Sequence, residues 1–496
     1  MIKVGKRLAT ASIVYGIGDL LTRGAGILLI PVYTRLLAPM EYGIFAGVSV
    51  FISFMNVFLI LGMHSAAGRM HFDSADEEKK RTLYGTLFIA ASMWALILTI
   101  VLNIYGNHIL GHFYSAVHFD PYLRLGTWIA FFNSLLLIPL ALLQAQHRPL
   151  LYRIVTGSSF LISTCSILIF VIVMRWGVVG ILWGQIVGGV LTASLAIFIM
   201  FRKMNWTVDR TILWQSLGFG VPVVFYAAGG WFADYSGRYF VERYSTLAEL
   251  GLYNLASQYA SILYMVFNAG NMAWAPVFYE IGSSPEGPRI AARIGLLLFT
   301  GGLGVALAMV IFGPLVFRIF IGDAFLGAFQ FVPLLILSNI LSTVIWCLVV
   351  LPLFYLKKTF HLAWLTIFSG CVGVLLNFLF ASRWGALGAA MATCLTYFLV
   401  IALACYISFR LYPIPYQFKK IGLLILVVIS LNVASTYTRF DSIILSSVTG
   451  LVLMILFLFS LFPLKIVTTS ELRIAFDFVK RRLTGEAPET PALEKS

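Results

Sequence analysis

The chain alternates between long apolar stretches and short polar segments along almost its whole length. Many stretches without a charged residue reach about 20 residues, the length of an α-helix that crosses roughly 30 Å of hydrocarbon. Longer apolar runs are divided by turn residues, as where "YGNHILGHFYS" interrupts residues 82–119. The pattern predicts fourteen membrane-spanning helices, centred roughly on residues 23, 53, 94, 134, 164, 190, 230, 265, 305, 340, 371, 397, 429 and 453.

The composition agrees with this pattern. Hydrophobic residues make up 60% of the chain and charged residues 11%, and the mean hydropathy is +0.95. A soluble domain has about a quarter of its residues charged. A transmembrane β-barrel would show short strands of alternating polarity instead of these runs. We therefore expect an all-α polytopic membrane protein.

The net charge of +14 is distributed unevenly between the two sides of the predicted membrane. With the N-terminus inside, 25 Lys and Arg residues fall on the inner side and seven on the outer side. Positive residues are enriched in cytoplasmic segments of membrane proteins. This asymmetry predicts that both termini are cytoplasmic, and it accounts for the surplus charge without a nucleic-acid partner.

Two pairs of segments repeat at the same offset of 208 residues. "RLLAPMEYGIFAGVS" from Arg35 aligns with "RYSTLAELGLYNLAS" from Arg243, and "RWGVVG" from Arg175 aligns with "RWGALG" from Arg383. Because six spans lie between equivalent points, the copies have the same orientation, with a pseudo-twofold axis along the membrane normal. We expect an N-lobe (1–205, spans 1–6), a C-lobe (206–412, spans 7–12), two further spans (413–465) and a cytoplasmic amphipathic helix with a disordered tail (466–496).

The segments between the spans argue against an enzyme. No loop is long enough for a catalytic domain outside the membrane, and no glycine-rich phosphate loop followed by Lys-Ser/Thr occurs. The five cysteines lie in apolar runs without metal-type spacing, so neither a metal nor another cofactor is expected. Energy would then come from a gradient, with protons and sodium ions both left open, from the concentration difference of the substrate, or from a partner.

Charged residues inside the predicted spans are the first candidates for a functional site, because such charges are costly and usually face a cavity. Asp19 and Arg23 lie in span 1, and Asp234 and Arg238 lie in span 7. Each pair is spaced i,i+4, on one face of a helix. We expect the two arginines to bind substrate and the two aspartates to act in ion coupling or as counter-ions. Glu242 is expected to be a further counter-ion, paired with Arg238.

Uncharged polar residues in other spans are candidates for a sugar-binding lining. We select Asn56, Gln258 and Asn271 as substrate-binding residues. Other amides are also candidates, namely Asn133, Gln185, Asn268 and Asn339. Each of these side chains would equally suit a hydrogen bond between helices, which is a common role of polar residues in membranes.

Two segments of the sequence resemble a known family. "GRYFVERYSTLAELGLYNLASQY" (237–259) is similar to the signature around spans 7 and 8 of polysaccharide transporters in the MOP flippase superfamily. There an Arg-aromatic pair, here Arg238–Tyr239, precedes Gly-hydrophobic-Tyr, here 251–253. "IPVYTRLLAPMEYGIFA" (30–46) is similar to the first outer turn of the family, with Ala38 as a departure before Pro39. The family often has Asp directly before the span-7 Arg, where this chain has Gly237.

The resemblance implies a Wzx-like flippase of a bacterial cytoplasmic (inner) membrane. It would move a polyprenyl-pyrophosphate-linked oligosaccharide repeat unit of O-antigen, lipopolysaccharide or exopolysaccharide from the inner to the outer leaflet. Membrane lipid and polysaccharide polymerase or assembly proteins are the implied partners. The alternatives are a lipid II flippase or a cation-coupled multidrug exporter of the same superfamily, or, in another class, a membrane polymerase or ligase of lipid-linked sugars.

Overall fold

A computed structural model describes residues 29–73, 76–146, 148–282, 284–344, 349–437 and 443–466. Throughout these ranges the secondary structure is helical, and no strand occurs. Ten of the described helices are long and apolar enough, by length and composition, to cross a membrane. The expected fold class, an all-α polytopic membrane protein, is therefore confirmed.

Fifteen α-helices occur in the described ranges. In chain order they are α1 (Ile30–Leu36), α2 (Pro39–Leu59), α3 (Met63–Met70), α4 (Glu77–Leu110), α5 (Arg124–Ala145), α6 (Pro149–Leu168), α7 (Gly177–Met200), α8 (Arg210–Tyr244), α9 (Leu247–Ile281), α10 (Gly287–Phe320), α11 (Val332–Val344), α12 (Leu351–Tyr355), α13 (Thr359–Leu411), α14 (Phe418–Tyr437) and α15 (Ile443–Ser460).

The helices coincide with the hydropathy pattern. Every predicted span centre from residue 53 onward lies inside one of them. Two predicted spans, centred on 371 and 397, share α13, which is interrupted by non-helical backbone at Trp384 and Gly385. The first predicted span, with Asp19 and Arg23, lies outside the described residues.

The polypeptide divides into two compact units. One comprises the described parts of Met1–Ala269 and Val316–Ser408, and the other comprises the described parts of Gly270–Leu315 and Phe409–Ser496. In the second unit, the Tyr412 hydroxyl donates to the carbonyl oxygen of Gly282 at 2.9 Å. There too, Phe457 packs against Gly304, and Phe312 packs against Gly450. The first unit contains the charged segment of α8.

Equivalent helix starts in the repeat meet each other directly. A Cβ atom at Gly43 would overlap the carbonyl oxygen of Leu247, and one at Gly251 would overlap that of Pro39. Residues 39 and 247, like 43 and 251, are separated by the repeat offset. Such a reciprocal contact is the property of an interface with a two-fold axis. Glycine lets the two helix backbones approach this closely, as small residues do at helix crossings in membranes.

Each copy of the repeat also contains a turn at a glycine that is contacted by a glutamate. Gly177 and Gly385 have φ angles of +55° and +54°, which side chains of L-residues rarely adopt. A carboxylate oxygen of Glu41 lies 2.9 Å from the Cβ position of Gly177, and one of Glu249 lies 2.9 Å from that of Gly385. Glu249 also accepts a hydrogen bond from the backbone N–H of Ala386 at 3.0 Å. The first-turn glutamate of one helix therefore positions the turn before another helix, in both copies.

The segment that connects the copies is attached to the start of α4. The Thr86 hydroxyl donates to the carbonyl oxygen of Thr207 and accepts from the N–H of Asp209. The N–H of Asn205 donates to the carbonyl oxygen of Arg81. Asp209 then caps α8 by accepting from the N–H groups of Thr211 and Ile212. The position of the first turn of α8 is thereby fixed relative to α4.

Candidate functional site

The charged residues of α8 lie where this helix packs against α2. The indole N–H of Trp231 donates to the Ser53 hydroxyl at 2.8 Å, and the Trp231 ring also packs on Phe54. Asp234 and Arg238 follow within the next two turns of α8. The helix has 35 residues, a length of about 50 Å at 1.5 Å per residue. Asp234 is ten residues and Arg238 six residues before the last residue of α8, so both lie in the final third of a helix long enough to cross a membrane.

Arg238 has no anionic partner among the described residues. Its guanidinium lies over the Tyr235 ring, 5.3 Å from the ring centroid, in a cation–π contact. Its Nε is buried and makes no hydrogen bond. Tyr42 of α2 and Tyr253 of α9 lie within electrostatic reach of its charge. The hydroxyl of Tyr42 is likewise buried without a hydrogen bond. One guanidinium nitrogen and one tyrosine hydroxyl in this region are thus buried without a hydrogen bond.

Asp234 has a different environment from Arg238. Its side chain is exposed and lines a cavity of about 540 Å³. The Tyr397 hydroxyl of α13 donates to its Oδ1 at 2.9 Å. In the described part of the chain, no ion pair within 4.0 Å joins Asp234 to Arg238, although they are spaced i,i+4. The two groups are therefore each available to a ligand.

The departure from the family pattern at Gly237 has a steric reason. A Cβ atom there would lie 2.9 Å from the Tyr253 hydroxyl and 3.4 Å from oxygens of Asn377 and Thr393. These side chains occupy the space that an aspartate would need. Asp234, one turn earlier on α8, lines the cavity.

Glu242 has a structural partner other than Arg238. Its side chain is buried, with 1% exposure. Oε1 accepts from the N–H groups of Ala116 and Val117, at 2.8 and 2.9 Å, in the segment after α4. No ion pair between Glu242 and Arg238 occurs among the described residues. This carboxylate connects α8 to the other copy of the repeat.

Arg243 and its repeat partner Arg35 make reciprocal contacts at the same end of the unit. Arg243 donates to the carbonyl oxygens of His112 and Phe113, just past the end of α4. Arg35 donates to the carbonyl oxygen of Ile319, near the end of α10. Residues 319 and 111 are equivalent in the repeat. Arg243 therefore binds the segment just past α4, the third span of the first copy, and Arg35 binds the end of α10, the third span of the second copy.

The uncharged candidates are placed in different surroundings. Gln258 lies beside the Tyr42 hydroxyl, close to Arg238. The Oδ1 atom of Asn56 in α2 is buried without a hydrogen bond. The Oδ1 atom of Asn271 is also buried and unpartnered, but this residue belongs to the second unit. Asn339, one of the other amides, lines the cavity with Asp234.

The sequence analysis did not select the tyrosines of this region as site residues. Tyr253 nevertheless ends the Gly-hydrophobic-Tyr signature (251–253), and Tyr42 directly precedes the repeat glycine Gly43. Tyr397 lies 163 residues from Asp234. No spacing in the sequence relates these two positions, and only the packing of α8 on α13 brings them together.

Comparisons with known proteins agree with this architecture. The family described as "Polysaccharide biosynthesis protein" matches residues 32–280. The "Lsg locus putative protein 1" of Haemophilus influenzae is 23% identical over 279 residues, which cover 54% of this chain and 65% of that relative. This chain thus spans about two-thirds of the length of the curated relative it matches.

Two solved structures define the fold class. "Lipid II flippase MurJ, inward closed conformation" superposes with a TM-score of 0.69 at 14% identity, covering 92% of this chain and 98% of that one. The inward-facing conformation of a MATE family multidrug resistance transporter of the MOP superfamily has a TM-score of 0.60 at 14% identity, covering 81% and 98%.

The molecule is therefore a multi-pass membrane protein with the fold of MOP-superfamily flippases and transporters. Within that class, the chain belongs to the polysaccharide biosynthesis protein family, whose match covers half of its length, including α2 to α8 and almost all of α9.

Proposed function

We propose that the protein is a flippase that moves a polyprenyl-pyrophosphate-linked oligosaccharide repeat unit from the inner to the outer leaflet for surface polysaccharide biosynthesis. The observation that carries the proposal is that Arg238 is partly buried without an anionic partner among the described residues. Arg238 lies in the last two turns of a long apolar helix. Its guanidinium has a buried Nε without a hydrogen bond and lies near the hydroxyls of Tyr42 and Tyr253. A charge in this position is costly unless a ligand or a cavity compensates it.

A pyrophosphate suits this cation. Arginine has a planar fork of donors that binds phosphate oxygens in a bidentate manner, and such charge-assisted bonds are stronger than neutral ones. Gln258 and the Tyr42 hydroxyl would add donors beside it. The polyprenyl chain needs no polar site, since it is as apolar as the lipid around it. Only the pyrophosphate and the sugars have to be shielded during the crossing.

Alternating access gives a route for this crossing. On the predicted topology, the contacts of Arg35, Arg243 and Glu242 lie at the outer end of the first unit. They join the two copies of the repeat there, which supports a conformation that is closed at the outer end. Release to the outer leaflet would require these contacts to separate while the inner ends approach. The substrate would remain near Arg238 during the exchange.

The test is a translocation assay in proteoliposomes with a fluorescent polyprenyl-pyrophosphate-linked oligosaccharide, in which the label at the outer surface is chemically reduced. Arg238→Ala should slow translocation by roughly tenfold to a hundredfold, because loss of one partner of a buried charge pair costs about 2 kcal/mol or more. Arg238→Lys should be intermediate, since it keeps the charge and loses the fork. Arg69→Ala is the matched control, because Arg69 is exposed and paired with Asp73.

Translocation by Arg238→Ala at the wild-type rate would reject the binding role of Arg238. The same vesicles separate the related functions when lipid II or a lipophilic cation replaces the oligosaccharide lipid. Transport of the cation alone would favour a drug exporter, and transport of lipid II alone would favour a lipid II flippase.

A further inference from the structure

The cavity beside Asp234 has a composition that suits carbohydrate. It lies within the first unit, among α8, α9, α11, α12 and α13, and its volume of about 540 Å³ is in the range of small-molecule sites. Hydroxyl and amide groups line it together with tyrosine rings. The members used below are Asp234, Tyr264, Asn339, Thr366, Ser369 and Tyr397.

The described lining of this cavity contains negative charge only. Asp234 is the one charged residue of its described lining, and neither Lys nor Arg occurs there. The carboxylate accepts one hydrogen bond, from Tyr397, and makes no other within the described ranges. An ionised carboxylate is an acceptor with room for several donors. Its remaining acceptor positions are therefore open to hydroxyl, amide or amino groups of a ligand.

The cavity is close to Arg238, which is the proposed ligand of the pyrophosphate, without including it. Arg238 does not line it among the described residues, but it follows Asp234 by four residues, or about 6 Å along the helix axis. A polyprenyl-pyrophosphate glycolipid has the same order of groups, with the first sugar joined directly to the pyrophosphate. If Arg238 holds the pyrophosphate, the adjoining sugars are brought to the mouth of this cavity.

We propose, on the basis of the function proposed above, that this cavity receives the sugars next to the pyrophosphate and selects neutral or amino sugars over acidic ones. Sugar hydroxyls can donate to Asp234 and exchange hydrogen bonds with Asn339, Thr366 and Ser369. The apolar faces of sugar rings can lie on the tyrosine rings, which have an apolar body and a polar end. A sugar carboxylate would instead meet the charge of Asp234 with no cation in the described lining to offset it.

The test compares two glycolipids in the proteoliposome assay. One is a polyprenyl-pyrophosphate-linked disaccharide of neutral hexoses, and the other has a carboxylate at C6 of the first sugar. The wild type should translocate the neutral one roughly tenfold faster or more, because the sugar carboxylate would be placed beside the like charge of Asp234. Asp234→Asn should reduce this ratio towards one. Thr211→Val, outside the cavity, is the control that should keep the wild-type ratio.

A second measurement locates the sugar independently of turnover, in case Asp234→Asn is inactive. The neutral disaccharide lipid, with a photoreactive diazirine on its first sugar, is cross-linked to the wild type and mapped by mass spectrometry. Adducts within 261–264, 366–369 or at Tyr397 are expected.

The outcomes separate the two proposals. Equal transport of both glycolipids by the wild type, or adducts only outside the cavity, would overturn the sugar selectivity and leave the flippase function standing. Transport of neither glycolipid would count against the flippase function itself.

Discussion

At the scale of single residues, the two copies of the repeat share glycines at positions where a side chain would disrupt the structure. Gly385 has φ +54° and ψ −136°, a region of backbone conformation that is open to glycine and strained for other residues. Its Cβ position is also occupied from outside by both carboxylate oxygens of Glu249, at 2.9 and 3.0 Å. Backbone geometry and packing therefore require glycine at the same place.

Gly385→Ala should destabilise the protein by about 1–3 kcal/mol, the usual cost of a strained backbone position. Thermal unfolding in detergent, followed by fluorescence, should show a lower midpoint. Gly218→Ala is the control, because Gly218 lies inside α8 with nothing within 4 Å of its Cβ position. That variant should be as stable as the wild type or slightly more stable, since alanine favours helix over glycine. Equal midpoints for the two variants would contradict the strain argument.

At the scale of helices, the ends of α8 and α4 form a connection between the repeats. Glu242 accepts from Ala116 and Val117, and the Tyr239 hydroxyl donates to the carbonyl oxygen of Phe113. The equivalent position in the first copy is Thr34, whose hydroxyl accepts from the N–H of Gly322 at 3.3 Å. Both copies thus use the residue before the repeat arginine to hold the opposite segment, with a stronger acceptor in the second copy.

Glu242→Ala should favour separation of this end, because two N–H groups lose their acceptor at about 1–3 kcal/mol for each buried group. Distances between spin labels at the exposed positions His118 and Thr246 measure the effect, with the five native cysteines replaced. The variant should show a larger population of long distances than the parent. Glu78→Ala, at an exposed position of α4, should leave the distribution unchanged. An unaltered distribution for Glu242→Ala would show that this connection does not control opening.

At the scale of the whole molecule, the charge distribution predicts an orientation. The excess of Lys and Arg on one set of connecting segments is the pattern of cytoplasmic segments. His118, after α4, and Lys358, before α13, are both exposed and fall on opposite predicted sides.

Single cysteines at these two positions test the orientation in a cysteine-free parent. A membrane-impermeant maleimide should label His118→Cys in intact cells and Lys358→Cys only after permeabilisation. The reverse pattern would show that the orientation is inverted. The contacts of Arg35, Arg243 and Glu242 would then lie at the inner end of the protein and not at the outer end.

Much of the fold could be predicted from hydropathy, because a helix that faces lipid must be apolar over its whole length. Every predicted span centre in the described ranges lies inside an observed helix. The pattern could not show that two of these spans belong to one helix with a kink at Gly385. The candidate site was less accessible to prediction. The i,i+4 spacing of Asp234 and Arg238 is a property of one helix, and it suggested a pair. The structure gives them separate partners in Tyr397 and Tyr235, because side-chain direction depends on what packs nearby.

Local hydrophobicity and recurring residue types were sufficient to predict the helical class, the positions of the described spans and the 208-residue repeat. The groups that share an environment depend on tertiary packing. This packing brought Glu242 to the backbone of Ala116 and Val117, Tyr42 to Arg238, and Tyr397 to Asp234. Each of these contacts joins separate helices or loops, so its energy depends on how they pack, and no periodicity along one helix encodes it.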